Sequence, residues 1–317
     1  MNMANVFPPF KIDIAGAFCV PRALKDVREQ YQNGQVSRQI LQAVEDAEVR
    51  SLVERLELGG MKVVSDGGFR SRDFLESWDG RPFSEGSPLE ITGRLSLLRH
   101  PILEEFAFLD SIVDGGVMKK QHIPSPAEVM TQIIQRVERT QIETVYSDIR
   151  LLTDDIASCY KFLLTKLYDA GCRYVQFDGV HSVIMEDTIR LNNRVLRERP
   201  AGMYVAFHAP TDMLVQLHGA DAYFLNYDCG ACDRNRLLWF IHEKEAVFGF
   251  VLSHYPQEDE LDELQAKTES VLNYIPLKRF TLCLPDANAL LSPSEADEEK
   301  QWETVRLGME MAARIFS

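Results

Sequence analysis

Three stretches of the chain end in groups that can move protons or hold a metal. "CRYVQFDG" (172–179) ends on Gln176 and Asp178, "MYVAFH" (203–208) on His208, and "AVFGFVLSH" (246–254) on His254. A histidine, with an ordinary pKa of about 6.5, gives and takes protons near neutral pH, and a carboxylate beside it orients the ring or favours its cation. Imidazole is also the commonest metal ligand. His254, Asp178 and His208 therefore read as candidate catalytic groups. Other apolar runs end in Asp66 and Arg70 ("SDGGFR"), His122 ("KKQHIP") and Asn226 ("YFLN"). With Gln176, these read as candidate substrate-binding groups. Cys229 and Cys232 form a C-x-x-C just after Asn226. With His208 and Asp228 they make a four-ligand set for a metal, although a lone C-x-x-C fits a helix start equally well. Any single Asp at a strand end also serves as an N-cap, so the signal lies in the collection.

The elements that must position these groups follow a repeating pattern. Eight short apolar runs begin at "FKIDIAGAF" (10–18) and finish at "RFTLCLPD" (279–286). Between them lie amphipathic segments with apolar residues at i, i+3 and i+4, such as 37–59, 155–171 and 259–275. Gly59 and Gly171 stand where helix-ending C′ glycines are expected. Strand and helix in alternation imply parallel pairing through right-handed crossovers. Eight such strands predict one (β/α)8 TIM barrel spanning 1–317, with an insertion at about 80–114 between strands two and three. In such a barrel the strand ends converge on one mouth. The alternative is an open doubly wound sheet, but no G-x-G-x-x-G follows a strand, which weakens it, and no nucleotide cofactor is expected. The stripe of Met, Leu, Ile and Phe on the last helix, 298–316, reads as core.

Composition narrows the partners. The 317 residues are 45% hydrophobic and 26% charged, with a net charge of −14. That balance disfavours nucleic acid and anionic membrane surfaces, which call for basic patches, and leaves a small molecule as the expected partner. Six scattered cysteines fit reduced thiols, and neither a signal peptide nor a spanning apolar run is visible, so the expected compartment is the cytoplasm.

"GAFCVPRALKDVREQYQNGQVSRQILQAVEDAEVRSLVERLELGGMKVVSDGGFR" resembles the opening of single-barrel proteins related to cobalamin-independent methionine synthase. "YDAGCRYVQFDG", "DAYFLNYD", "VFGFVLSHYP" and "LPDAN" resemble later strands of that family. The resemblance implies a (β/α)8 barrel that transfers a methyl group to homocysteine sulfur, with a zinc ion ionising the thiol. Residue by residue, His208 matches the family's zinc-binding histidine. The other three ligand positions hold Pro210, Asn226 and Ala287. The serine expected to hold the amino acid is Ala17, and the glutamate of D-G-E-F-R is Gly68. Asp66 and Asp178 are retained, and His254 resembles the family histidine that acts as acid toward the methyl donor. Three readings stay open: methyl or alkyl transfer to a small thiol with a degenerate zinc site, a metal-free lyase, hydrolase or decarboxylase using His/Asp acid–base chemistry, and an inactive paralogue.

Overall fold

The computed structural model describes residues 8–70, 73–75, 89–179, 181–226, 244–252, 258–285 and 295–316. Eight strands lie within them: β1 (Ile12–Ile14), β2 (Val63–Val64), β3 (Met118–Pro124), β4 (Tyr174–Asp178), β5 (Tyr204–His208), β6 (Ala222–Asn226), β7 (Val247–Val251) and β8 (Phe280–Leu284). They form one sheet in the order β1-β8-β7-β6-β5-β4-β3-β2. The described pairs β1–β8, β2–β3, β4–β5 and β7–β8 are all parallel. With helices between the strands, this is a nearly closed (β/α)8 barrel. By their contacts the residues group into two compact units, 1–71 with 111–120 and 224–317, and 72–110 with 121–223.

In the first unit, α1 (Arg22–Gln32) and α2 (Arg38–Leu58) follow β1. Ser37 caps α2, its Oγ accepting from the amide of Ile40. Val49, Leu52, Val53 and Leu56 bury one face at helical spacing. Because α2 runs to Leu58, Gly59 is still right-handed at the C-cap, and Gly60 takes the left-handed position at φ 89°. The left-handed glycine is thus one residue later than the sequence predicts. After β7 comes α9 (Leu261–Leu272), and after β8 comes α10 (Glu295–Ile315). Val305, Leu307, Met311 and Ala312 of α10 are buried, so its apolar stripe is core. Gly308 lets α10 sit close to the sheet, since a Cβ there would lie 2.9 Å from Ile12 Cδ1 and 3.1 Å from Leu284 Cδ2.

The second unit holds α4 (Pro126–Arg136), α5 (Arg139–Val145), α6 (Ile149–Asp169), α7 (Glu186–Glu198) and α8 (Thr211–Gln216). α6 starts earlier than the apolar spacing alone suggests, because Asp148 caps it by accepting from the amide of Arg150 at 2.9 Å. It ends as predicted, with Gly171 left-handed at φ 98°. β4 and β5 alternate strictly. Phe177 and Phe207 pack edge-to-face at 5.6 Å, and Tyr160 of α6 meets Phe177 at 5.9 Å. The opposite parity carries Tyr174 against Tyr204, then Gln176 and Ala206, then Asp178 and His208. Of the predicted insertion, residues 89–114 are described. They carry two isolated bridge positions and the helix α3 (Ile102–Ile112). Within that stretch the amide of Leu95 donates to Tyr146 Oη at 2.7 Å.

Candidate acid–base site

Asp178 is the last residue of β4 and His208 the last of β5, and the two are register partners. Backbone hydrogen bonds carry the pairing past the strand ends. The amide of Gly179 donates to the carbonyl of His208 at 2.8 Å, and the amide of Ser125 donates to the carbonyl of Asp178 at 2.7 Å. Ser125 is also the N-cap of α4, its Oγ accepting from the amide of Glu128 at 3.0 Å. Pro126 follows at the first helical position, where a missing N–H costs nothing. Tyr160 Oη donates to the Pro124 carbonyl at 2.7 Å and braces the end of β3. A Cβ on Gly179 would stand 2.7 Å from Ser125 Oγ, so only glycine lets these loops close together.

That frame gathers three side chains around one carboxylate. Gln176 Nε2 donates to Asp178 Oδ1 at 2.7 Å. His122 Nδ1 lies 3.3 Å from Asp178 Oδ2. His208 Nδ1 lies 3.9 Å from Asp178 Oδ1, beyond hydrogen-bond range but within reach of charge pairing when the ring is protonated. The His208 side chain is 5% exposed, His122 16% and Asp178 36%. An ionised carboxylate only accepts, so the nitrogen facing Asp178 Oδ2 is the protonated one. In a neutral His122 ring this leaves Nε2 as a lone pair. That atom is buried and has no hydrogen-bond partner among the described residues. A carboxylate that fixes the tautomer of an imidazole, with the far nitrogen left to act, is the arrangement of a general base.

Asp66, Arg70 and Asn226 belong to the first unit. Asp66 Oδ1 accepts from the amide of Gly68 at 3.0 Å, closing a turn in which Gly67 and Gly68 are both left-handed. Arg70 is buried and turned to α2. Its Nη2 lies 2.6 Å from Asp46 Oδ1 and its Nη1 3.9 Å from Glu45 Oε2, while Arg28 approaches Glu45 to 3.8 Å. Arg70 therefore anchors the β2 end to α2 through ion pairs. A Cβ on Gly68 would lie 3.0 Å from Ala17 Cβ. The two departures from the family motif are thus neighbours, and a longer side chain at either would press on the other. Asn226 ends β6. His254, Cys229, Cys232, Asp228 and Asp286 lie outside the described residues.

One polar pair has no counterpart among the candidates read from the sequence. Lys120, in the middle of β3, places Nζ 2.6 Å from Asp13 Oδ1 of β1, bonds the Ile14 carbonyl and stands 4.9 Å over the Phe224 ring. Both partners are almost wholly buried. Asp13 is in register with Cys283 of β8. Burial, followed by the Asp13 charge, pushes the Cys283 thiol well up, so it is an inert core group.

No protein-family model matches the chain. A structure of a provisionally named vitamin-B12-independent methionine synthase from Listeria monocytogenes is similar over 98% of both chains, at 28% identity and a TM-score of 0.79. The barrel is methionine-synthase-like. A B12-independent methionine synthase from Shewanella sp. W3-18-1, solved with selenomethionine, has the same fold over 96% of this chain and 98% of its own, at 15% identity and a TM-score of 0.67. Two uncharacterized Bacillus subtilis (strain 168) proteins, YxjG and YxjH, are each 26% identical over 95% of their length, covering 98% and 97% of this chain.

The zinc set that the resemblance implies can be tested against the residues present. His208 is buried at the right strand end, but Pro210, the N-cap of α8, carries no donor atom, and neither does Ala287. Among the described residues no group of three or more His, Cys, Asp or Glu is placed to hold a metal ion. The set that the resemblance implies thus has residues without a donor atom at two of its four positions.

Proposed function

We propose that this chain is an enzyme that transfers a methyl or other alkyl group to the sulfur of a small thiol such as homocysteine. The thiol would be ionised by the carboxylate–histidine centre at Asp178. The single observation that carries the reading is that Asp178 sits between two imidazoles at adjoining strand ends, on a methionine-synthase-like barrel. A free thiol, with a pKa of about 8.5, is mostly protonated at neutral pH and must be ionised before it attacks carbon. In the proposed step the S–H proton passes to an imidazole and the thiolate forms the new S–C bond. The bond from that carbon to its carrier breaks, and its electron pair stays on the carrier. By resemblance His254 returns a proton to the carrier, so the products are a thioether and a protonated carrier. Gln176, which holds the Asp178 carboxylate, is proposed to contact the substrate.

The test is to incubate the protein with homocysteine and a methylated pterin donor and to follow methionine by mass spectrometry. Methionine formed at a rate proportional to protein supports the reading. No thioether from homocysteine, cysteine or a short alkyl thiol with any methyl donor offered would contradict it. Turnover of a thiol-free substrate that depends on Asp178 would instead favour the metal-free lyase, hydrolase or decarboxylase reading, which the same Asp–His pair could serve.

A further inference from the structure

We infer that His122, rather than the zinc-type histidine His208, is the group that takes the thiol proton, with Asp178 as its positioning residue. The inference rests on the thiol-alkylation reading and assigns the proton within it. Three observations separate the two rings. His122 Nδ1 is within hydrogen-bond distance of Asp178, at 3.3 Å, whereas His208 Nδ1 is at 3.9 Å. Asp178 has one oxygen facing Gln176 and the other facing His122, so the carboxylate is already oriented toward His122 before substrate arrives. His122 Nε2 is buried with no hydrogen-bond partner among the described residues. A buried acceptor left without a donor is costly, and proteins keep such groups where they act.

The chemistry that satisfies this atom is a neutral X–H donor of modest acidity, and a thiol is one. On binding, the proton moves from sulfur to Nε2. The site then holds a thiolate, an imidazolium and the Asp178 carboxylate. Its net charge is the same as that of the unreacted thiol with neutral His122 and ionised Asp178. No proton leaves for solvent. A thiol ionised by a metal ion instead releases its proton, since the ligand binds deprotonated. Proton stoichiometry on binding therefore separates the two mechanisms without any turnover.

The experiment adds homocysteine to the full-length protein at neutral pH in weak buffer. It records thiolate absorbance in the ultraviolet, proton release with an indicator dye, and binding by calorimetry. The expected wild-type result is a thiolate signal with no proton released. His122→Asn keeps an amide nitrogen where Nδ1 meets Asp178 and deletes Nε2. It should bind homocysteine but lose the thiolate signal by tenfold or more. His122→Gln, with its amide nearer the Nε2 position, serves if the Asn variant melts. A full thiolate signal in either folded variant, or one proton released per thiol by wild type, overturns the assignment to His122. Absence of any thiol binding by wild type overturns the thiol-alkylation reading itself. If neither variant folds, His208→Asn decides: an undiminished thiolate signal supports His122, and a tenfold loss of it overturns the assignment.

Discussion

The Asp178 carboxylate stands 3.3 Å from Nδ1 of His122, a residue 56 positions earlier on the neighbouring strand. The contact joins the ends of β3 and β4, and it gives a solvent-reaching carboxylate a fixed imidazole partner. Asp178→Asn keeps the shape and removes the charge that favours the imidazolium. Turnover of the thiol substrate should fall by about 10²–10⁴-fold, the usual range for a lost proton-transfer partner, with an unchanged circular dichroism spectrum. A loss below tenfold would place the proton elsewhere.

Gly179→Ala tests the frame beneath the site. The added Cβ meets Ser125 Oγ at 2.7 Å, Ser182 Oγ at 3.1 Å and a Phe207 ring carbon at 3.3 Å. Overpacking of this kind costs about 1–3 kcal/mol. In urea unfolding the same change should cost less in a Ser125→Ala background, where the nearest atom is gone. Equal costs in both backgrounds would mean that Ser125 is not what excludes a side chain.

Lys120→Met leaves the Asp13 carboxylate buried without its partner and should destabilise the protein by about 3–5 kcal/mol. Adding Asp13→Asn removes the stranded charge and keeps an acceptor for the amide of Ile14, which bonds Asp13 Oδ1 at 2.6 Å. The double variant should recover most of the loss in denaturant titration. If the two single costs simply add, the pair is not coupled.

Cys159 gives a pH signature. Burial first, and the nearby Asp155 charge second, push its thiol up to about 12, against about 8.5 in an unfolded chain. The folded state therefore holds the proton more tightly, so this stabilising term is complete below about pH 8.5 and is lost as pH rises toward about 12. Native protein treated with iodoacetamide at mildly alkaline pH should leave Cys159 and Cys283 unlabelled, and both should react after unfolding. Cys159→Ser should flatten the alkaline fall in stability. Rapid native labelling of either thiol would contradict its buried, protonated state.

Much of this arrangement is legible in the sequence, for a physical reason. Gln176, Asp178, His122 and His208 each close an apolar run, and parallel strands joined by right-handed crossovers all end on the same side. The eight strands and the principal helices follow from periodicity in the same way. The Lys120–Asp13 pair is not legible, because its members lie 107 residues apart and meet only through strand order and register. "KKQH" reads as a polar strand end, yet Lys120 and Gln121 are both buried. Arg70 reads as a substrate-binding group at a strand end, since its partners Glu45 and Asp46 sit on a helix whose rotation the sequence does not specify. Which histidine faces the Asp178 oxygens is a matter of about half an ångström, 3.3 against 3.9 Å, and no motif encodes that.

The most direct test of the central claim compares wild type and Asp178→Asn for thioether formation from homocysteine and a methylated pterin donor, under single-turnover conditions with product measured by mass spectrometry. The account predicts methionine from wild type, and a rate at least a hundredfold lower from the equally folded variant. Methionine formed equally fast by both proteins would contradict it.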